Sequence, residues 1–154
     1  MINNIRQKFL IVGAGGFLGY SLFERFSQIS QPAIFVSSHF QWPNLGNIEN
    51  SNNIRIIFAN SKDIDLYKRY LDDVSLVIYM AGGTNIGYSQ LHSTLDIESH
   101  TSAVLPLLTS LGHNKKFIYI SSGGAVYGEA SDLNYGCVET NALHPKSIYG
   151  LRNK

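Results

Sequence analysis

The sequence predicts an α/β protein built on a doubly wound parallel sheet, and two observations carry that prediction. Short apolar runs alternate with stretches of helical periodicity along most of the 154 residues, the pattern of successive βαβ units. A glycine cluster also follows the first apolar run directly and leads into an amphipathic segment.

The elements follow in order. Residues 8–12 read as a buried strand, after which Phe17, Leu18, Leu22 and Phe26 recur at helical spacing. Residues 33–37, behind Pro32, form the second strand; a polar loop over residues 39–53 leads to a third at 54–58. Residues 63–71 fit a short helix with Asp63 or Ser61 near its cap. A fourth strand is expected at 76–80. A longer helix follows at 94–111, carrying Leu95, Val104, Leu107, Leu108 and Leu111, with a kink at Pro106. Residues 117–121 complete the strands. Residues 123–154 read as irregular and Gly/Asn-rich, with a helix beginning at Tyr149.

Composition bounds the function. With 44% hydrophobic residues the chain can bury one ordinary core, so residues 1–154 are expected to form a single domain. A net charge of +1 and 15% charged residues produce no field suited to nucleic acid or an anionic membrane. Apolar runs such as Phe9-Leu10-Ile11-Val12 fall far short of the ~20 residues of a membrane span. Residues 1–8 are polar and lack the apolar core of a secretory signal, which makes a cytoplasmic location the expectation. Cys137 is the single cysteine, and the five histidines show no metal-ligand spacing, so no metal site is expected.

The strongest local motif is Gly13-Ala14-Gly15-Gly16-Phe17-Leu18-Gly19. A strand, a glycine turn and a helix N-terminus together make a pyrophosphate cradle, because the backbone can approach the anion and the helix offers it amides and a positive dipole end. Gly13 is expected to make the turn, Gly16 to permit close approach of the ligand, and Gly19 to let the helix pack tightly. Phe17 and Leu18 supply first-turn amides. The end of the second strand reads Phe35-Val36-Ser37-Ser38-His39, without the carboxylate that usually bonds the ribose of NAD and without an arginine for NADP. The residues therefore leave NAD and NADP both open. Asn60 and Ser61, after the third strand, lie nearest the expected adenine position.

Ser121-Ser122-Gly123-Gly124-Ala125-Val126-Tyr127-Gly128, taken with the glycine cluster, Tyr79-Met80-Ala81-Gly82 and Tyr149-Gly150, resembles the extended short-chain dehydrogenase/reductase superfamily. Within it the chain is similar to the NAD-dependent epimerase/dehydratase family, especially its UDP-glucose 4-epimerase-like members. The likeness runs in order from about residue 8 to the terminus. It implies a Rossmann-type fold and NAD as cofactor. It implies Ala81 and Gly82 beside the nicotinamide ribose, a nucleotide-sugar substrate, a possible homodimer, and Tyr149 as the acid/base partner of hydride transfer. Ser122 is the nearest hydroxyl to the family's catalytic serine position, which falls on Gly123. Asn153 occupies the place of the lysine that family members carry four residues after the tyrosine, and Lys154 comes one residue late, rotated by ~100° on a helix. The resemblance also implies that a C-terminal substrate domain is lacking. The expectation is thus a nucleotide-sugar epimerase or dehydratase family protein; the alternative is a catalytically silent, truncated dinucleotide-binding domain or gene remnant.

Overall fold

The computed structural model describes residues 7–43, 45, 53–82, 85–128 and 136–154. The apolar runs become β1 (Phe9–Val12), β2 (Ala33–Ser37), β3 (Ile54–Phe58), β4 (Leu76–Tyr79) and β5 (Lys116–Tyr119). They form one sheet in the order β3-β2-β1-β4-β5, with every pairing parallel. The chain runs outward from β1 to β3 and then crosses back to build β4 and β5 on the other side. The C-terminal ends of β1 and β4 therefore flank the point where strand order reverses, the place where open α/β sheets bind ligands. This is the Rossmann-type parallel α/β fold expected from the sequence.

Alternation along the strands divides the core into two layers. Leu10, Val12, Ile34, Val36, Val77 and Tyr79 pack on one face with Tyr67, Leu71, Ala103 and Leu107. Ile11, Ala33, Phe35 and Ile78 pack on the other with Tyr20, Leu22, Phe23 and Phe26 of α1 (Phe17–Gln28) and with Trp42. Trp42, which no sequence signal explained, is a hub here. Its ring lies 5.0 Å from that of Phe23, 5.4 Å from Phe35 and 4.7 Å from Phe40, centroid to centroid.

The apolar face expected of α1 needs correction at its start. Phe17 is 82% and Leu18 53% exposed, while Gly19 is the buried residue of the helix. At ~100° per residue, Gly19, Leu22, Phe23 and Phe26 share one face, and Phe17 projects from the opposite side.

Two compact units are distinguished: Met1–Ala81 with Ala103–Tyr119, and Gly82–Ser102 with Ile120–Lys154. The first holds the sheet and both layers of core. It also contains α2 (Ile64–Tyr67), continued by a 3-10 turn at Lys68–Tyr70, and the C-terminal half of α4 (Ser93–Ser110), which runs through Pro106. The second unit holds α3 (Ile86–Leu91), the N-terminal half of α4, α5 (Gly123–Val126) and α6 (Ile148–Arg152). α3 is capped by Asn85, whose Oδ1 accepts from Tyr88 N at 2.9 Å. α6 is capped by Ser147, whose Oγ accepts from Gly150 N at 3.0 Å. Neither α3 nor α5 was expected, because six and four residues are too few to display a period. The expected loop at 39–53 lies largely outside the described residues. No helix among the described residues is long and apolar enough to cross a membrane.

Candidate functional site

The first unit builds the glycine turn from both neighbours of β1. Gly13 N and Ala14 N both donate to Val36 O of β2, at 2.8 and 3.0 Å, and Met80 N donates to Val12 O at 2.9 Å. Gly13 has φ +83°, a conformation unfavourable to side chains. Ala81 passes so close that a Cβ at Gly13 would lie 2.3 Å from its backbone nitrogen. The chain leaving β2 then crosses the loop: Gln41 N donates to Gly15 O at 2.9 Å, and a Cβ at Gly15 would meet His39 O at 1.8 Å. A Cβ at Gly19 would meet Ala14 O at the same distance.

Gly16 differs from all three. It is the N-cap of α1, and a Cβ there would meet nothing within 4 Å. No side chain caps this helix, and its first turn carries no acidic residue. Among the described residues, then, no side chain caps the opening amides and no first-turn carboxylate would repel an anion there. The residues present fit a bound pyrophosphate: three glycines are fixed by packing, and the fourth leaves open the approach that such a ligand requires.

Gly13, Gly16, Phe17, Leu18, Gly19 and Ala81 are therefore gathered at one end of the sheet, and Gly15 joins them as a residue to which the sequence reading gave no role. Its signal was present in the Gly-Gly pair, but the chain crossing above it could not be foreseen. Asn60 and Ser61 follow β3 at the same C-terminal edge. Asn60 Oδ1 accepts from Lys62 N at 3.1 Å, and Ser61 O accepts from the buried Tyr67 hydroxyl at 2.6 Å. Burial, with smaller contributions from Tyr79 and Asp63, pushes that phenol above its usual range. At the end of β2, Ser37 is buried and Ser38 Oγ pairs with His39 Nδ1 at 3.1 Å.

The second unit carries Gly82, Ser122 and Tyr149. Ser122 is the N-cap of α5 without a side-chain capping bond; its carbonyl receives Ala125 N and Val126 N at 2.9 and 3.0 Å. α6 rests on α5 at Gly150, where a Cβ would come within 2.5 Å of Ala125 O. That contact seats Tyr149, which is half-buried. Its ring is covered by the Arg152 guanidinium, with Cζ 4.9 Å from the ring centroid. Arg152 Nε lies 2.9 Å from Asp96 Oδ2, and the two side chains are 5% and 1% exposed. Arg152 Nη1 also lies 3.0 Å from His100 Nδ1. Burial, then the charge of Arg152, lowers the His100 pKa below its ordinary value, against the opposing pull of Asp96. A neutral imidazole with Nδ1 unprotonated can accept from the guanidinium at that distance.

Asn153, at the lysine position of the resemblance, is turned back onto its own helix. Its Nδ2 donates to Tyr149 O at 2.7 Å, and its carbonyl accepts from Ser121 Oγ at 2.7 Å. Lys154 is exposed. The cation against the tyrosine ring is Arg152, which the sequence reading passed over by counting only four residues onward. Positions three apart on a helix are neighbours as well. Asp96 and His100, four apart on α4, form the face that receives it.

Comparison with known proteins shows the family. The model of the NAD dependent epimerase/dehydratase family matches residues 9–153. A Methanocaldococcus jannaschii protein, provisionally named a UDP-glucose 4-epimerase, is 29% identical over 146 residues, covering 92% of this chain and 46% of that protein. The chain therefore spans about half the length of this curated relative. Among solved structures, the Thermus thermophilus UDP-glucose 4-epimerase in complex with NAD has a TM-score of 0.78 at 20% identity, over 96% of this chain and 47% of its own. The Thermotoga maritima UDP-glucose 4-epimerase with UDP-glucose has a TM-score of 0.72 at 24% identity, over 96% and 48%. At these identities the structural likeness speaks for the fold.

Proposed function

The chain belongs to the NAD-dependent epimerase/dehydratase family, and from that premise we propose that it binds NAD at its glycine cradle and acts on a nucleotide-sugar in the manner of a UDP-sugar 4-epimerase. The observation that carries this reading is the division among the glycines: packing demands Gly13, Gly15 and Gly19, whereas nothing among the described residues demands Gly16. A glycine with open space before it, at an uncapped helix N-terminus, is accounted for by a ligand that comes close to the backbone. Phe17 and Leu18 lend their amides to the same anion, Ala81 and Gly82 lie along the nicotinamide ribose, and Asn60 and Ser61 serve the adenine end.

Bound NAD supplies the hydride acceptor and donor. Tyr149 would take the proton of the sugar C4 hydroxyl and later return it, while NAD held at the glycine cradle would supply the hydride transfer, so the sugar would invert with no net oxidation. Ser122 orients the sugar hydroxyl. The nucleotide-sugar is one partner in this reading. A second copy of the chain is the other, for which the exposure of Leu105 and Leu108 on α4 offers an apolar surface.

A second reading, a dinucleotide-binding domain without catalysis, draws on Asn153, whose amide is committed to Tyr149 O in place of a lysine ammonium. Calorimetric titration of the folded chain with NAD, NADH and NADP tests the shared part. Saturable binding is expected, and Gly16→Val should abolish it while leaving the fold intact. Absence of binding at ~1 mM cofactor, a free energy of only about −4 kcal/mol, would defeat the cradle reading.

A further inference from the structure

We infer that Arg152 is the cation that serves Tyr149 in this chain, positioned by Asp96 and His100. The inference rests on the acid/base role proposed for Tyr149 and assigns the charge that this role requires. A phenol that gains and loses a proton near neutral pH needs a positive group close by to offset the charge it develops. On α6 only Arg152 reaches the ring: its guanidinium covers the face of Tyr149, Asn153 is bonded to its own helix, and Lys154 is exposed.

The geometry is that of a fixed charge. Asp96 holds Nε and His100 holds Nη1, both from α4, so the planar guanidinium is tied on one edge and along one arm. Gly82 lies beside the group, where a Cβ would make ordinary contact with Arg152 Nη2 at 3.9 Å. Among the described residues, Asp96 and His100 on α4 and Tyr149 on α6 are titratable groups in contact with Arg152. A guanidinium keeps its proton throughout the working range and presents a weakly hydrated plane that stacks on aromatic rings. Arg152 therefore acts by electrostatics and orientation and relays no proton, a division of labour distinct from that of a lysine ammonium. It is a positioning residue, and Asp96 is the anchor that prevents it from swinging to solvent.

Site-resolved labelling of the whole 154-residue chain with an aryl sulfonyl fluoride at about pH 8 tests this without any turnover. The phenolate oxygen attacks sulfur, the new O–S bond replaces S–F, fluoride leaves, and the phenolic proton has gone to solvent. Peptide mass spectrometry gives the rate at Tyr149 relative to Tyr127, which is also half-buried and serves as the internal reference. The wild-type ratio should be well above one. Arg152→Met should lower it about tenfold, within the range of a desolvated cation–ring contact, and Arg152→Lys should hold it within about twofold. Where Arg152→Met fails to fold, the pair Asp96→Leu with Arg152→Met replaces the buried ions by apolar groups and should give the same drop. An unchanged ratio in Arg152→Met or in the Asp96→Leu with Arg152→Met pair, or equal losses in the Met and Lys variants, would overturn the inference, the last because packing alone would then explain it. A wild-type ratio near one would instead sink the acid/base role of Tyr149 itself.

Discussion

Replacing Gly13 and Gly16 one at a time by alanine separates a glycine that the fold needs from one that only a ligand needs. At Gly13 the new methyl meets two penalties. Its φ of +83° costs a non-glycine residue roughly 1–2 kcal/mol. The Cβ would also stand 2.3 Å from Ala81 N, about 1 Å inside ordinary contact, and that atom is backbone at the end of a strand bonded to β1, so it cannot swing aside. Overpacking of this kind costs about 1–3 kcal/mol, which brings the total to roughly 2–5 kcal/mol. At Gly16 the methyl meets open space, and a change at an N-cap of this type costs at most about 1 kcal/mol. Urea unfolding followed by fluorescence reads the difference directly, because Trp42 is the one tryptophan and is buried in the core beside α1. With a slope of ~2 kcal/mol/M, Gly13→Ala should lower the midpoint by about 1–2.5 M, and Gly16→Ala by less than about 0.5 M. Equal midpoint losses in the two variants would refute the assignment of Gly13 to packing and Gly16 to the ligand.

Breaking the buried ion pair on one side, by Asp96→Asn or Arg152→Met alone, should cost ~3–5 kcal/mol in thermal or urea unfolding. The apolar double replacement should return to within about 1 kcal/mol of wild type, which a double-mutant cycle would detect. His100 titrates in the folded chain below its ordinary 6.5, so between those two values the unfolded chain binds more protons and stability rises with pH. Stability from this source is complete above pH 6.5 and falls as the pH drops below it; His100→Gln should flatten that part of a stability–pH profile. With serines and a histidine where a ribose-binding carboxylate usually stands, NADP should bind within about tenfold of NAD, and calorimetry would show a much larger ratio if another group supplies the discrimination.

Most of the fold was legible because its strands are short apolar runs, with glycine directly after β1 and proline directly before β2, and because β2 and β3 begin and end where the apolar runs do. Gly13 could be given the turn and Gly19 a packing role from spacing alone, since a strand–turn–helix admits few geometries. Three features lay beyond that reach. The exposure of Phe17 and Leu18 depends on the phase of α1, which four apolar residues do not fix. Trp42 acquires its role only when a loop brings it onto Phe23 and Phe35, a contact with no local signature. Arg152 and Asp96 lie more than fifty residues apart, and neither charge announces in the sequence that it will be buried against the other.

β1 lies in the middle of the sheet, yet its two partners are made at very different times. β2 follows closely, whereas the register that joins Phe9 to Leu76 spans 67 residues, the same separation as the Ser75–Lys8 contact beside it. At a synthesis rate of about 5–20 residues/s, the edge of β1 destined for β4 waits roughly 3–13 s for its partner to be translated. During that interval Leu10, Ile11 and Val12 belong to a strand with one side open, on a nascent chain that cannot yet close its sheet. The order of the strands thus sets a window of vulnerability on the ribosome, and the glycine turn can acquire its final shape only when that window ends, because Ala81 is made after β4.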